Sequence, residues 1–124
     1  MIKVSAAIIE KDGKVLICKR AKGKFNAPLW EFPGGKREAG ETAAECIVRE
    51  CAEELGIAIL VETLFAEFDW QADLHFSFFL ASIDKGIPQA LEHEEVRWVA
   101  KQELDTYVFW PADASIIHRI VALP

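Results

Sequence analysis

An α/β domain, with a central mixed sheet sandwiched between helices, is predicted for residues 1–124 by three features of the chain. Strand-like stretches precede, flank and follow one central segment of helical periodicity. A second helix-like segment closes the chain, and no linker, repeat or low-complexity tract divides it. With 52% apolar and 27% charged residues, a chain of this length buries a core unaided as one domain.

The opening IKVSAAIIEKDGKVLICKR reads as two strands around Asp12-Gly13, a dipeptide that accepts the backbone of a tight hairpin turn. AKGKFNAPLW is a polar loop bearing Gly and Pro, and WEF is a short extended piece broken by Pro33-Gly34-Gly35. Over Thr42 to Leu55, the residues Ala44, Ile47, Val48, Cys51 and Leu55 recur at i, i+3, i+4 spacing and form a core stripe. Gly56 is a natural residue to end that helix. IAILVETLFAEFDW and LHFSFFLASID read as two strands joined near Gln71-Ala72-Asp73, and VRWVA as another short strand. PADASIIHRIVALP reads as the closing helix, with Pro111 in its first turn and Ile116, Ile117, Ile120 and Val121 facing inward.

The apolar runs are short and interrupted by charge, so none is read as a membrane span, and the N-terminus shows no signal or lipidation motif. A cytoplasmic protein is expected. The cysteines Cys18, Cys46 and Cys51 are odd in number, lack a CxxC pair, and read as small buried apolar residues. A net charge of −6 disfavours a long nucleic acid, which calls for a basic face. A single nucleotide stays open, because a bound divalent cation offsets acidic residues locally.

The acidic residues concentrate in GGKREAGETAAECIVRECAEELGI, from Gly34 to Ile57. On a helix Glu50, Glu53 and Glu54 are i, i+3 and i+4 neighbours and share a face, which is expected to point away from the Ile47/Cys51/Leu55 stripe. Like charges so placed destabilise a helix, and its C-terminal dipole end disfavours them further. Arg49 offsets part of this through its i+4 relation to Glu53. Two readings follow: a solvated acidic face, or hard oxygen ligands gathered for Mg²⁺ or Mn²⁺.

Written as a pattern, Gly35-x5-Glu41-x7-Arg49-Glu50-Cys51-x-Glu53-Glu54-x-Gly56-Ile57 resembles the Nudix box, G-x5-E-x7-R-E-U-x-E-E-x-G-U. The one departure is Cys51 at the first bulky-aliphatic position. AAIIEKDGKVLICKR, LWEFPGGK, EHEEVRWV and PAD extend the likeness to the MutT-type branch over nearly the whole chain. The resemblance implies a Nudix fold, an α/β/α sandwich, and hydrolysis of a nucleoside diphosphate linked to another moiety, with divalent metal. It makes Glu50, Glu53 and Glu54, with the Gly34 carbonyl, the expected metal ligands. Arg49 orients the glutamates, and Glu41 supports the loop and helix. Glu50, Glu53, Arg49 and a loop glutamate form the expected catalytic set. Glu92, six residues before Trp98, is favoured over Glu94 and Glu95, and His93 ranks lower as a base.

Arg20 and Lys36 are expected phosphate contacts, each with an ordinary surface charge as its alternative. Asp113 stands where the branch places a base-reading polar residue, and an N-cap is the equal alternative. Phe76 and Phe78 share one strand face and Phe79 takes the other, so Phe76 and Phe78 are the candidates to stack on the base, although most of this cluster reads as core. His75 and His118 suggest no metal site. Accessory signatures of other branches are missing; Gln71-Ala72-Asp73 stands where ADP-ribose hydrolases carry Pro. The resemblance therefore implies a Mg²⁺-dependent (deoxy)nucleoside triphosphate pyrophosphohydrolase acting on oxidised dGTP or on CTP or dCTP, as a monomer or homodimer. The alternatives are another nucleotide substrate, ADP-ribose or a nucleotide sugar, or a nucleotide sensor without turnover.

Overall fold

A computed structural model describes residues 1–23 and 28–124, so the middle of the AKGKFNAPLW loop lies outside the described residues. Strands β1 (Ile2–Lys11) and β2 (Lys14–Lys19) form the expected hairpin. Asp12 and Gly13 both take positive φ, 53° and 78°, as a tight two-residue turn demands. β3 (Trp30–Glu31) pairs with β2, and β4 (Gly34–Lys36) pairs antiparallel with Val4–Ala6 of β1. Pro33-Gly34-Gly35 thus does more than break the chain, since its glycines begin a further strand. β5 (Ala58–Trp70), β6 (Leu74–Lys85) and β7 (Glu95–Ala100) complete a seven-stranded sheet. β1 and β6 run parallel and the other pairs antiparallel, which makes the sheet mixed.

The sheet is covered on both faces, so β1 and β2 read as unbroken apolar runs. Ile8, Val15, Ile17, Phe76 and Phe78 enter one core cluster, while Ala7, Ile9, Leu16 and Cys18 enter the other. Helix α1 (Ala43–Leu55) covers the second face with Ile47, Cys51 and Leu55. Thr42 caps α1 in a reciprocal capping box with Glu45, and Gly56 closes it in the left-handed conformation at φ 69°. Val48 is not on the core stripe: it is 41% exposed, and Cys46 and Glu54 are buried instead.

The expected single closing helix is two short ones, α2 (Pro111–Ala114) and α3 (Ile117–Val121). Ser115 Oγ donates to the Ala112 carbonyl at 2.7 Å, a local bond that competes with helix continuation, and Ile116 leaves helical geometry. Ile116, Ile117 and Ile120 are buried as expected, with Val121 packed against them. A 3₁₀ turn over Lys101–Thr106, preceding these helices, carries no period long enough to read from the sequence. All three cysteines are free and buried, and among the described residues no helix is long and apolar enough to cross a membrane.

Candidate active site

Two glycines seat the beginning of the 34–57 stretch, Gly34 against β1 and Gly35 against the stretch's own acidic end. A Cβ on Gly34 would lie 2.1 Å from the Ser5 carbonyl oxygen, and one on Gly35 would lie 2.7 Å from the Glu50 carboxyl carbon. No side chain fits at either position without displacing backbone or carboxylate, so β4 packs directly against the acidic end of α1.

Arg49 ties this arrangement together. Its guanidinium donates to Glu41 Oε2 at 2.7 Å and Oε1 at 3.0 Å, a bidentate pair, and to Glu50 Oε1 at 2.7 Å. It also reaches Glu53 Oε2 at 3.3 Å and the Lys36 carbonyl at 3.1 Å. These hydrogen bonds from Arg49, with the Glu38 backbone N–H, hold the Glu41 carboxyl down to about 2. Glu41 raises the arginine's own pKa in return.

Glu54 corrects the expectation that the three glutamates face away from the core. It is buried at 6% exposure, and its Oε1 accepts a 3.4 Å hydrogen bond from the Gly34 N–H. Glu54 follows Ile47 by seven residues, two turns less about 20°, so helical geometry places both on one face. Burial first, then the hydrogen bond and repulsion shared with Glu50, push its carboxyl up to about 10. Glu53, by contrast, keeps 53% of its side chain exposed.

Two adjoining cavities share Arg20, Glu31 and Gly34 in their walls. The polar one adds Glu54, Glu92 and His93. The more apolar one adds Lys36, Phe32, Phe76, Trp110 and Asp113. The structure therefore gathers Arg20, Lys36, Glu92, Phe76 and Asp113 at one place. Phe78, fully buried, touches neither cavity and stacks behind Phe76 with centroids 5.9 Å apart. Asp113 is no N-cap. Trp110 holds that position, and the Asp113 Oδ2 accepts from the Phe32 N–H at 2.8 Å across 81 residues of chain. Burial pushes its carboxyl up to about 8.

Sequence reasoning missed Glu31 and Trp110, and it considered His93 only as a base. Glu31 accepts from Arg20 Nη1 at 3.3 Å and lies 2.9 Å from His93 Nε2. WEF and FWPAD contain these residues, but no spacing distinguishes them from ordinary strand and helix-start residues.

Among the described residues no three His, Cys, Asp or Glu side chains converge as a ready-made metal cage. Arg49 draws Glu50 and Glu53 to itself, while Glu54 turns inward to Gly34. The donor set still fits a hard divalent cation. It is all oxygen, and the burial and repulsion that keep Glu54 protonated are the costs a cation relieves.

A NUDIX domain model matches residues 1–120. The CTP pyrophosphohydrolase of Escherichia coli K12 is 37% identical over 126 residues, covering 99% of this chain and 93% of that protein. An 8-oxo-dGTP diphosphatase of Haemophilus influenzae is 37% identical over 125 residues, covering 98% and 92%. A solved MutT structure, from work on Aliivibrio salmonicida and Vibrio cholerae, superposes with a TM-score of 0.85 at 33% identity, covering 99% of this chain and 98% of that one. The solution structure of the E. coli ORF135 protein gives 0.84 at 36% identity, covering 99% and 90%. With the family model spanning nearly all of it and such relatives matching along its length, the chain belongs to the Nudix family.

Proposed function

We propose that this protein hydrolyses a (deoxy)nucleoside triphosphate to the monophosphate and pyrophosphate, with 8-oxo-dGTP or CTP and dCTP as the substrates to expect. The observation that carries the reading is the pair of adjoining cavities: Glu54 and Glu92 line a polar space that continues past Arg20, Glu31 and Gly34 into an aromatic one. Relatives named CTP pyrophosphohydrolase and 8-oxo-dGTP diphosphatase support it.

Nudix hydrolases generally use divalent cations, and the chemistry here suits Mg²⁺, with Mn²⁺ as a substitute. Glu50, Glu53, Glu54 and the Gly34 carbonyl would hold it. When bound, the ion supplies charge neutralisation for the polyphosphate and lowers the pKa of water.

Arg49 keeps Glu50 and Glu53 in place, and its bidentate hold on Glu41 fixes the loop before the helix. Arg20 binds phosphate oxygens from the shared wall and Lys36 from the more apolar cavity. Glu92, exposed at the border of the polar cavity, is the carboxylate that takes the proton of the attacking water. Trp110 offers its ring to the base from the more apolar cavity, with Phe76 packed edge-to-face against it and Phe78 backing Phe76. Asp113, protonated near neutral pH, both donates and accepts, which suits a cytosine N3/N4 edge or the N7–H/O6 edge of 8-oxoguanine.

The test is a panel of 8-oxo-dGTP, CTP, dCTP, 5-methyl-dCTP and ADP-ribose with Mg²⁺, with products resolved by chromatography. A triphosphate releasing monophosphate and pyrophosphate is the expected result, and none doing so sinks the substrate class. Glu53→Gln should abolish turnover with the fold intact, and wild-type rates in that variant would sink the role of the glutamate helix.

A further inference from the structure

His93 borders the polar cavity, yet triphosphate hydrolysis as described above assigns it no task. Its side chain is 8% exposed, its Nε2 lies 2.9 Å from Glu31 Oε2, and its Nδ1 is buried without a hydrogen-bond partner. A ring kept only for packing gains nothing from an orphaned nitrogen, because a buried polar atom without a partner carries a cost that an apolar ring avoids. The bond to Glu31 offsets that cost. Glu31 in turn accepts from Arg20 Nη1 at 3.3 Å, so one carboxylate joins a histidine and an arginine that come from different parts of the fold.

The backbone on either side of His93 is also fixed. The Leu91 N–H donates to the Glu54 carbonyl at 3.1 Å, and the Glu94 N–H donates to the Lys19 carbonyl at 3.0 Å. The segment between β6 and β7 is therefore pinned to the end of α1 and to β2, and these two anchors deliver the imidazole to Glu31. Arg20 and Glu31 are in the wall common to both cavities, so a shift of this pair is felt where they join.

We infer that His93 is a positioning residue for substrate binding: by holding Glu31 it fixes the Arg20 guanidinium toward the phosphates of the nucleoside triphosphate. The inference rests on the triphosphate reading above. His93 touches no reacting atom, so its loss weakens ground-state and transition-state binding alike and leaves the chemical step unchanged.

The test compares wild type with His93→Leu, which keeps bulk and deletes the bond, and His93→Gln, which restores an N–H donor near the position of Nε2. Steady-state kinetics are measured with the best triphosphate of the panel, and equilibrium binding with its non-hydrolysable α,β-methylene analogue. His93→Leu is expected to raise KM and the analogue Kd by about tenfold with kcat within about twofold, and His93→Gln to recover most of the difference. In a Glu31→Ala background His93→Leu should add no further loss, because the two residues act in series. Thermal melts identify folded variants. If His93→Leu does not fold, His93→Phe, which keeps a ring and deletes the donor, takes its place, with the same roughly tenfold rise in Kd expected and an unchanged Kd overturning the role. A wild type that binds and cleaves a triphosphate, beside a His93→Leu with unchanged KM and Kd or a loss that persists without Glu31, overturns the positioning role alone. A wild type that neither binds nor cleaves one overturns both readings together.

Discussion

Glu41 and Glu54 are thirteen residues apart on one loop-and-helix unit, yet their carboxyls are driven to opposite ends of the range. Glu41 accepts both Arg49 bonds and is held down to about 2, whereas Glu54, buried beside Glu50, is pushed up to about 10. The first has spent its charge on structure. The second retains a proton because burial beside Glu50 penalises its charge, and a cation that replaced that proton would relieve the same cost. One short segment thus contains both a completed ion-pair network and an uncompensated acidic site, and the contrast separates what holds the fold from the proposed cation site.

The largest expected effect comes from removing the uncompensated member. Glu54→Gln replaces a protonated carboxyl by an amide of nearly the same shape, so the apo melting temperature should stay within about 3 °C of wild type. Turnover should fall by at least about a thousandfold. Millimolar Mg²⁺ should raise the melting temperature of wild type and leave the variant unchanged, since only a native state that binds the ion is stabilised by it. A large loss of apo stability would mean that Glu54 is charged and structural like Glu41, and the contrast would collapse.

Breaking the completed network is the next step down in activity and the larger one in stability. Arg49→Lys keeps the charge but loses the planar fork that binds Glu41 through two nitrogens while reaching Glu50 and Glu53. A fall in melting temperature of roughly 5–10 °C at pH 7 is expected. The sign with pH follows from the lowered carboxyl of Glu41: its contribution is full above the ordinary value of 4.5 and is lost as pH falls toward about 2. The gap between wild type and Arg49→Lys should therefore close on acidification, and a gap independent of pH would argue that the loss comes from packing alone.

This pair also shows where the sequence is legible. Asp12-Gly13, Gly56 and the Ile47/Cys51/Leu55 stripe announce their turn, helix end and core face because local backbone chemistry decides them. Placing Glu54 on the solvent face was an error of helical geometry, because its seven-residue spacing from Ile47 puts it on the buried side. Val48 failed for the complementary reason, since it lies at the flank of a stripe whose centre is nearer Ile47. The split between α2 and α3 depends on one serine hydroxyl turned back on its own backbone, which no apolar period records. Glu31, Trp110 and the pairing of His93 were beyond sequence reasoning because the partners lie far along the chain, 62 residues apart in the case of Glu31 and His93. The box motif marks the acidic half of the candidate site, and tertiary packing supplies its other wall.

Asp113 extends the contrast to the second cavity with a smaller effect. Its carboxyl moves from an ordinary 3.8 up to about 8, with burial as the main cause and the Phe32 N–H opposing it. A raised folded-state value means the native protein holds a proton that the unfolded chain has released, so this group's contribution declines as pH rises from about 4 to about 8. Asp113→Asn cannot ionise and should flatten that part of the melting curve against pH. The same variant should shift the ratio of kcat/KM between 8-oxo-dGTP and dCTP, because a fixed amide and a carboxyl present different donor patterns. A variant with the wild-type slope would show that Asp113 is ionised throughout.

The smallest expected effect belongs to the exposed pairing of His75, which serves as a control for the other three. Its Nδ1 lies 2.8 Å from Asp69 and its Nε2 lies 3.2 Å from Glu67, both across the β5–β6 ladder. Hydrogen bonds to Asp69 first and Glu67 next raise the imidazole above its ordinary 6.5. The stabilisation is thus complete below that value and disappears as pH rises through the raised one. Both carboxylates are largely in water, 65% and 49% exposed, so screening leaves the pairing weak. His75→Gln should lower the melting temperature by only about 1–2 °C at pH 5.5, by nothing at pH 9, and less in high salt. It should leave kcat/KM unchanged, because His75 borders neither cavity. If His75→Gln matched Arg49→Lys in stability, exposure would not be what separates a strong carboxylate network from a weak one, and the distinction between Glu41 and Glu54 would need a cause other than burial and the arginine fork.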